Sequence, residues 1–332
     1  MLDQVSNASS IQTSVVTPRQ ISFRQNSFSL IEFMVALTIG LILMTGLVTL
    51  FVNNSRTRVE LEKTGQQIES GRFATELLTE DLRMAGYYGE LNPNTGNAAT
   101  PGSLPDPCDV TTAGITAALA LPIQGIHNVS SGTKPSCLSD VKPNTDVLVV
   151  RRASSCTMVR GASSWTAASG CDAMDTTKYT YFQTALCNIT SGQYVIDTDT
   201  TKFTLTKRDC TTPADLRAYF TRIYFVANNN NAGDAIPTLK MVELGPLAFT
   251  ATPVPMVVGI DQLQIQYGVA ASTSVETPGT YTSDPGTTAN WRNITSVKLG
   301  ILARNTAATN GFSSTKTYQL GATTYGPYGW SE

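Results

Sequence analysis

The longest apolar stretch covers residues 28–52, FSLIEFMVALTIGLILMTGLVTLFV, and its last twenty residues, from Phe33 onward, carry no charge. At about 1.5 Å per residue, a helix of that length crosses the roughly 30 Å hydrocarbon layer of a bilayer. A transmembrane helix is therefore predicted over 28–52. Between Asn53 and about Ala85, apolar residues (Val59, Leu61, Ile68, Phe73, Leu77, Leu78, Leu82 and Met84) alternate with charged and amide residues at the spacing of an amphipathic helix. No proline falls between Phe28 and Leu91, so the two segments read as one continuous helix ending near Gly86. Further on, runs rich in β-branched and aromatic residues predict strands at 147–150, 203–205, 218–226, 239–244, 256–267 and 296–303. Leu263, Ile265 and Tyr267 alternate with Gln264 and Gln266, the period-2 pattern of a sheet with one buried and one wet face. The predicted class is α+β: a long N-terminal helix, transmembrane then amphipathic, packed on an antiparallel sheet.

Residues 1–27 are a polar leader whose charges are Asp3, Arg19 and Arg24. The two arginines next to the apolar stretch favour a cytoplasmic N-terminus. A secretory signal peptide would have an apolar region of about 7–15 residues followed by a small-residue cleavage site. Here the run is longer, and Asn53-Asn54-Ser55-Arg56 follows it. The expected organisation is leader 1–27, membrane helix 28–52, amphipathic helix 53–86 and a β-rich globular head over 87–332.

Composition narrows the function. Charged residues make up 14% of the chain, against roughly 25% in an average domain. Lys and Arg number 23 against 25 Asp and Glu, with no basic run, so the footprint of nucleic-acid binding is missing and no nucleic acid is expected as a partner. His127 is the single histidine, and zinc sites and nucleophile–base pairs usually draw on imidazole; no enzymatic activity, metal or cofactor is expected, and His127 reads as a loop residue. Six cysteines, Cys108, Cys137, Cys156, Cys171, Cys187 and Cys210, show no CxxC spacing and no histidine neighbours, which suits disulfides in an oxidising compartment. Sequential pairing is expected, each bond closing a modest loop in a Ser/Thr/Gly-rich region.

Glu32 is the one charge within the apolar stretch. An unpaired carboxylate at membrane depth costs on the order of 2.5–3.5 kcal/mol, so it calls for a partner. Two readings are open: an interfacial acid stabilised by the helix N-terminus, or an assembly residue paired with an α-amino group created by a cut between Ser27 and Phe28.

The run RQNSFSLIEFMVALTIGLIL, Arg24 to Leu43, resembles the class III prepilin signal of type IV pilins and type II secretion pseudopilins. That resemblance implies a prepilin peptidase that cuts between Ser27 and Phe28, methylates the new amine and leaves the apolar helix attached, with Glu32 helping to dock the subunit into a filament. Ser27 stands where the family usually has Gly. The segment EDLRMAGYYG at 80–89 resembles the end of the long helix of PilW-type minor pilins, and DVLVVRRA at 146–153, YFVA at 224–227, GIDQLQIQYG at 259–268 and Trp291 leading into VKLGILAR at 297–304 resemble that family's strands in order. Family members continue past a segment like Lys316-Thr317-Tyr318 into a last basic strand, and this sequence stops at Glu332.

The resemblance implies a pilin-like fold and a minor pilin of the type IV pilus, anchored in the bacterial inner membrane with a periplasmic head, that helps initiate assembly at or near the tip and supports twitching motility or adhesion. Implied partners are other minor pilins, the major pilin, the prepilin peptidase, the inner-membrane assembly platform and, before assembly, the lipid bilayer. The alternatives are a type II secretion pseudopilin and a tip adhesin. For the latter, Trp165 and the aromatic cluster at 179–182 would form a contact surface, and Asp197 and Asp199 would offer calcium ligands.

Overall fold

The computed structural model describes residues 29–93, 98–161, 164–187, 194–245, 252–307, 309, 315–321 and 323–327. Two compact units divide at Val59 and Glu60. Helix α1, Leu30–Arg83, runs for 54 residues as its proline-free sequence requires. In the first unit every large apolar side chain from Leu30 to Val52 is solvent-exposed. The stretch is long and apolar enough to cross a membrane. Its threonines are satisfied within the helix: Thr38 donates to the Val35 carbonyl at 2.9 Å, and Thr45 and Thr49 to those of Leu41 and Thr45 at 2.8 Å. A helix that closes its own polar groups needs no water around it.

In the second unit, three antiparallel sheets follow. The first holds nine strands: β1 (Ile123–Ile126), β2 (Val147–Ala153), β3 (Met158–Arg160), β4 (Trp165–Ala167), β5 (Thr180–Thr184), β6 (Tyr194–Asp197), β7 (Leu216–Ala227), β8 (Thr238–Leu244) and β9 (Val254–Val258). Its pivot is β7, whose twelve residues are long enough for two strands to pair along each edge. Tyr219 pairs with both Ala153 of β2 and Thr180 of β5, and Leu216 with both Met158 of β3 and Gln183 of β5, while β8 takes the other end of β7. The second sheet has the order β11 (Thr280–Thr282), β10 (Ile260–Val269), β12 (Ile294–Ala303), and the third is the hairpin β13 (Tyr318–Leu320) and β14 (Thr323–Tyr325). Two short helices, α2 (Thr112–Ala118) and α3 (Thr288–Arg292), complete the elements named here.

Apolar side chains from α1 (Ala74, Leu78), β2 (Leu148, Val150), β7 (Tyr224, Val226) and β10 (Leu263, Ile265) form one core. The opposite face of β2 and β7, with Val147, Val149, Ile223 and Phe225, is covered by the loops around Val129 and Leu138. Burial on both faces is why 147–150 reads as an unbroken apolar run.

Four expectations change. The apolar pattern of the amphipathic segment marks the packed face only in its last turns, where Leu77, Leu78 and Leu82 pack on the core; Val59, Leu61, Ile68 and Phe73 are exposed, and the side turned inward carries Gln67, Gly71, Ala74, Leu78 and Asp81 at intervals of three and four. Gly71 faces Ala303 of β12, and a Cβ on it would make an ordinary 3.6 Å contact with that of Ala303. Residues 203–205 form no strand, since Phe203 follows a 3-10 turn and packs into a local core beside Trp165 and Leu216. The strand predicted over 256–267 breaks at Gly259, whose φ of +83° turns the chain from the first sheet into the second. Nor is the polar face of β10 wet. Asp261, Gln262 and Gln264 are buried, with Asp261 held 2.7 Å from the Lys142 ammonium and Gln264 donating to the Asn144 carbonyl at 3.1 Å.

Candidate functional site

Helix α1 opens on the pattern Ser29-Leu30-Ile31-Glu32, a serine followed three residues later by glutamate. Ser29 Oγ accepts from the Glu32 backbone N–H at 3.3 Å. In a full capping box the glutamate would reach back to the Ser29 N–H, but among the described residues the Glu32 carboxylate makes no hydrogen bond or ion pair. It is exposed at the head of an apolar helix. Ser27 and Phe28, the expected processing site, lie outside the described residues.

A second arrangement joins the helix to the head. Asp81, near the end of α1, is 5% exposed and accepts at 2.9 Å from both Arg152 Nε of β2 and the Arg222 guanidinium of β7, and at 3.0 Å from the Tyr224 hydroxyl. Arg222 also donates to Glu243 of β8 at 2.8 Å, and both guanidiniums lie over the Phe220 ring, at 5.1 and 5.2 Å. Burial pushes the Tyr224 phenol well above its ordinary pKa, and the neighbouring Asp81 carboxylate adds to this, so the hydroxyl stays a donor. The geometry ties the last turns of α1 to β2 and β7 through a carboxylate that accepts three hydrogen bonds. Sequence reading passed over this clamp; the signal was there in Asp81 continuing the 74, 78, 81 spacing of the buried face, and in the arginines that interrupt the apolar runs of β2 (Arg151, Arg152) and β7 (Arg217, Arg222).

All six cysteines pair in the head, in sequential order: Cys108 with Cys137, Cys156 with Cys171 and Cys187 with Cys210. Cys108 is buried, and Cys137 packs on the cluster that covers the outer face of β2 and β7.

The residues that would have served an adhesive surface have structural work instead. Tyr181 and Phe182 are buried, Trp165 meets Phe203 edge-on at 6.4 Å, and Tyr179 meets Phe220 at 5.3 Å. Asp197 and Asp199 accept from backbone N–H groups of their own turn, at Asp199 and Thr201. His127 Nδ1 lies 3.0 Å from Asp146, which also accepts from the backbone N–H groups of Asn128 and Ile265 and so ties β10 to the loop before β2. Among the described residues no group of three or more histidines, cysteines or acids is placed to hold a metal ion.

Two family models match the chain. One, described as Prokaryotic N-terminal methylation motif, covers residues 22–48, and the other, Type IV Pilus-assembly protein W, covers residues 223–331. The second match begins in β7 and continues past β14, beyond the point at which the sequence resemblance ended. Residues 49–222, which include α1 after the membrane-type segment and all three disulfides, fall outside both. No curated protein and no solved structure matches the chain.

Proposed function

We propose, for a chain that belongs to the PilW-type minor pilins, that it works as a membrane-anchored building block which enters a type IV pilus at or near the tip and helps start its assembly. The observation that carries this reading is the Glu32 carboxylate, exposed at the start of an apolar helix and without a partner among the described residues. In the bilayer that carboxylate is costly alone. The N-methylated amine of a neighbouring subunit, generated by cleavage between Ser27 and Phe28, neutralises it, and this favours side-by-side packing of the apolar helices. The subunit makes and breaks no bond itself; the prepilin peptidase and the inner-membrane assembly platform act on it. Its partners are other minor pilins and the major pilin, and the head, residues 87–332, faces the periplasm before extraction and the cell surface afterwards. Support for twitching motility or adhesion follows from a place in the filament.

Glu32→Gln separates the two roles open to this residue, since glutamine still suits the capping position but carries no charge. The variant is expected to be processed and folded, with its level in sheared filaments reduced on the order of tenfold or more. Wild-type incorporation of Glu32→Gln would reduce Glu32 to a helix cap and remove the docking mechanism.

A further inference from the structure

A groove of about 650 Å³ opens in the head between the last turns of α1 and the strand β12. Strand β12 is outermost in its sheet: it pairs with β10 along one edge, and among the described residues no strand pairs with the other. Residues 294–297 and Leu299 of β12 form one wall, and Thr79, Leu82 and Arg83 of α1 another. That wall of six positions is about 20 Å long at 3.3 Å per residue, the reach of a short extended peptide.

Two further observations point to an occupant. Trp291, which lines the groove, is 2% exposed, yet its indole N–H has no hydrogen-bond partner among the described residues. Buried donors of this kind nearly always find an acceptor, because leaving one unmade costs about 1–3 kcal/mol. The groove is also one-signed: Arg83 and Arg292 line it, and no aspartate or glutamate does. Arg292 is engaged with the Pro93 carbonyl and Thr100. The Arg83 guanidinium, at the end of α1, makes no hydrogen bond or ion pair among the described residues, which leaves it available to an incoming carboxylate.

We infer that this groove binds an extended acidic segment of another polypeptide, lying along β12 with a main-chain carbonyl as acceptor for the Trp291 indole, a carboxylate beside Arg83 and apolar side chains against Leu82 and Leu299. Strand addition to a free sheet edge uses main-chain hydrogen bonds for affinity and side-chain pockets for choice of partner. The inference stands on the head alone and holds or fails independently of the role of Glu32.

The test uses the full chain in detergent micelles and two N-acetylated, C-amidated heptapeptides, one alternating glutamate with valine and one alternating lysine with valine. The indole N–H resonance of Trp291, assigned through Trp291→Phe, is followed by NMR. The glutamate peptide is expected to shift it saturably, with affinity falling about tenfold in Arg83→Glu, a surface charge reversal that leaves the core untouched, and falling again with added salt. The lysine peptide is expected to leave it unmoved. No shift at millimolar glutamate peptide, equal shifts from both peptides, or unchanged binding in Arg83→Glu would overturn the inference. So would a Trp291 shift that tracks protein concentration without peptide, which would make a second copy the occupant.

Discussion

Asp81 on the helix and Arg222 on the central strand β7 meet at 2.9 Å, and through that contact a buried carboxylate in the last turn of α1 is tied to the first sheet. Arg152 and Tyr224 complete the carboxylate's shell. A buried ion pair is weak evidence of net stabilisation, but removing one partner leaves the other charge buried and alone.

Asp81→Ala is therefore expected to destabilise the head by about 1–3 kcal/mol, since Arg152 and the Tyr224 hydroxyl lose their acceptor while Arg222 keeps its pair with Glu243. Chemical denaturation of the full chain in detergent, followed through aromatic fluorescence, measures this. Glu80→Ala, one position away on an exposed part of the helix, should change stability by no more than about 0.5 kcal/mol. Equal effects from both would mean that Asp81 does not act as the clamp.

Leu61 and Ile68, each 67% exposed, lie seven residues apart on one side of α1, away from the packed face. Replacing both by glutamine should leave head stability within about 0.5 kcal/mol, because no core contact is lost. Filament incorporation should fall, since paired apolar positions at this spacing suit helix-to-helix packing. Loss of head stability in the double variant would place the two residues in the fold rather than in the assembly surface.

The three disulfides should differ in value. Closing loops of 29, 15 and 23 residues stabilises by about 3–4 kcal/mol each in the chain-entropy picture, with little to separate them. Packing does separate them, because Cys108 is buried and Cys137 lies on an apolar cluster, whereas Cys210 is exposed. Removing the 108–137 bond by double serine substitution is expected to lower the thermal midpoint most. A larger loss from removing the 187–210 bond would contradict this ranking.

Inside the loop closed by Cys187 and Cys210, Asp209 accepts from the backbone N–H groups of Thr211 and Thr212 and from the Thr212 hydroxyl. The Thr212 hydroxyl, followed by the two amides, pulls the carboxyl down to about 2 from an ordinary 3.8. A depressed carboxyl supports the folded turn above its unfolded pKa, and that support disappears as pH falls through the folded value. The Thr211 and Thr212 amide shifts should accordingly titrate with a midpoint near 2. A midpoint near 4 would show that the turn does not hold the charge.

The outline of this molecule was legible where one physical demand dominates. Twenty uncharged residues admit few environments, and 147–150 is apolar because both faces of β2 are covered. Sequence reading failed where tertiary contacts replace periodicity. Gln67 and Asp81 face inward because hydrogen bonds, beside the apolar contacts of Ala74 and Leu78, attach the end of α1 to the head; Gln67 donates to the Ala303 carbonyl at 2.6 Å. Gln264 lies inside because the Asn144 carbonyl waits for it, and no local pattern announces a partner 120 residues away. Glu32 was legible as an anomaly of charge, whereas the groove beside β12 depends on which strand edge the fold leaves open.

The central claim is that the chain loses its leader, keeps its apolar helix and presents Glu32 to a neighbour's new amine. Mass analysis of the N-terminal peptide of the protein taken from sheared filaments tests it most directly. The account predicts a polypeptide that begins at a methylated Phe28 and retains residues 28–52. A filament-borne chain that begins at Met1, or a protein recovered without that helix, would contradict it.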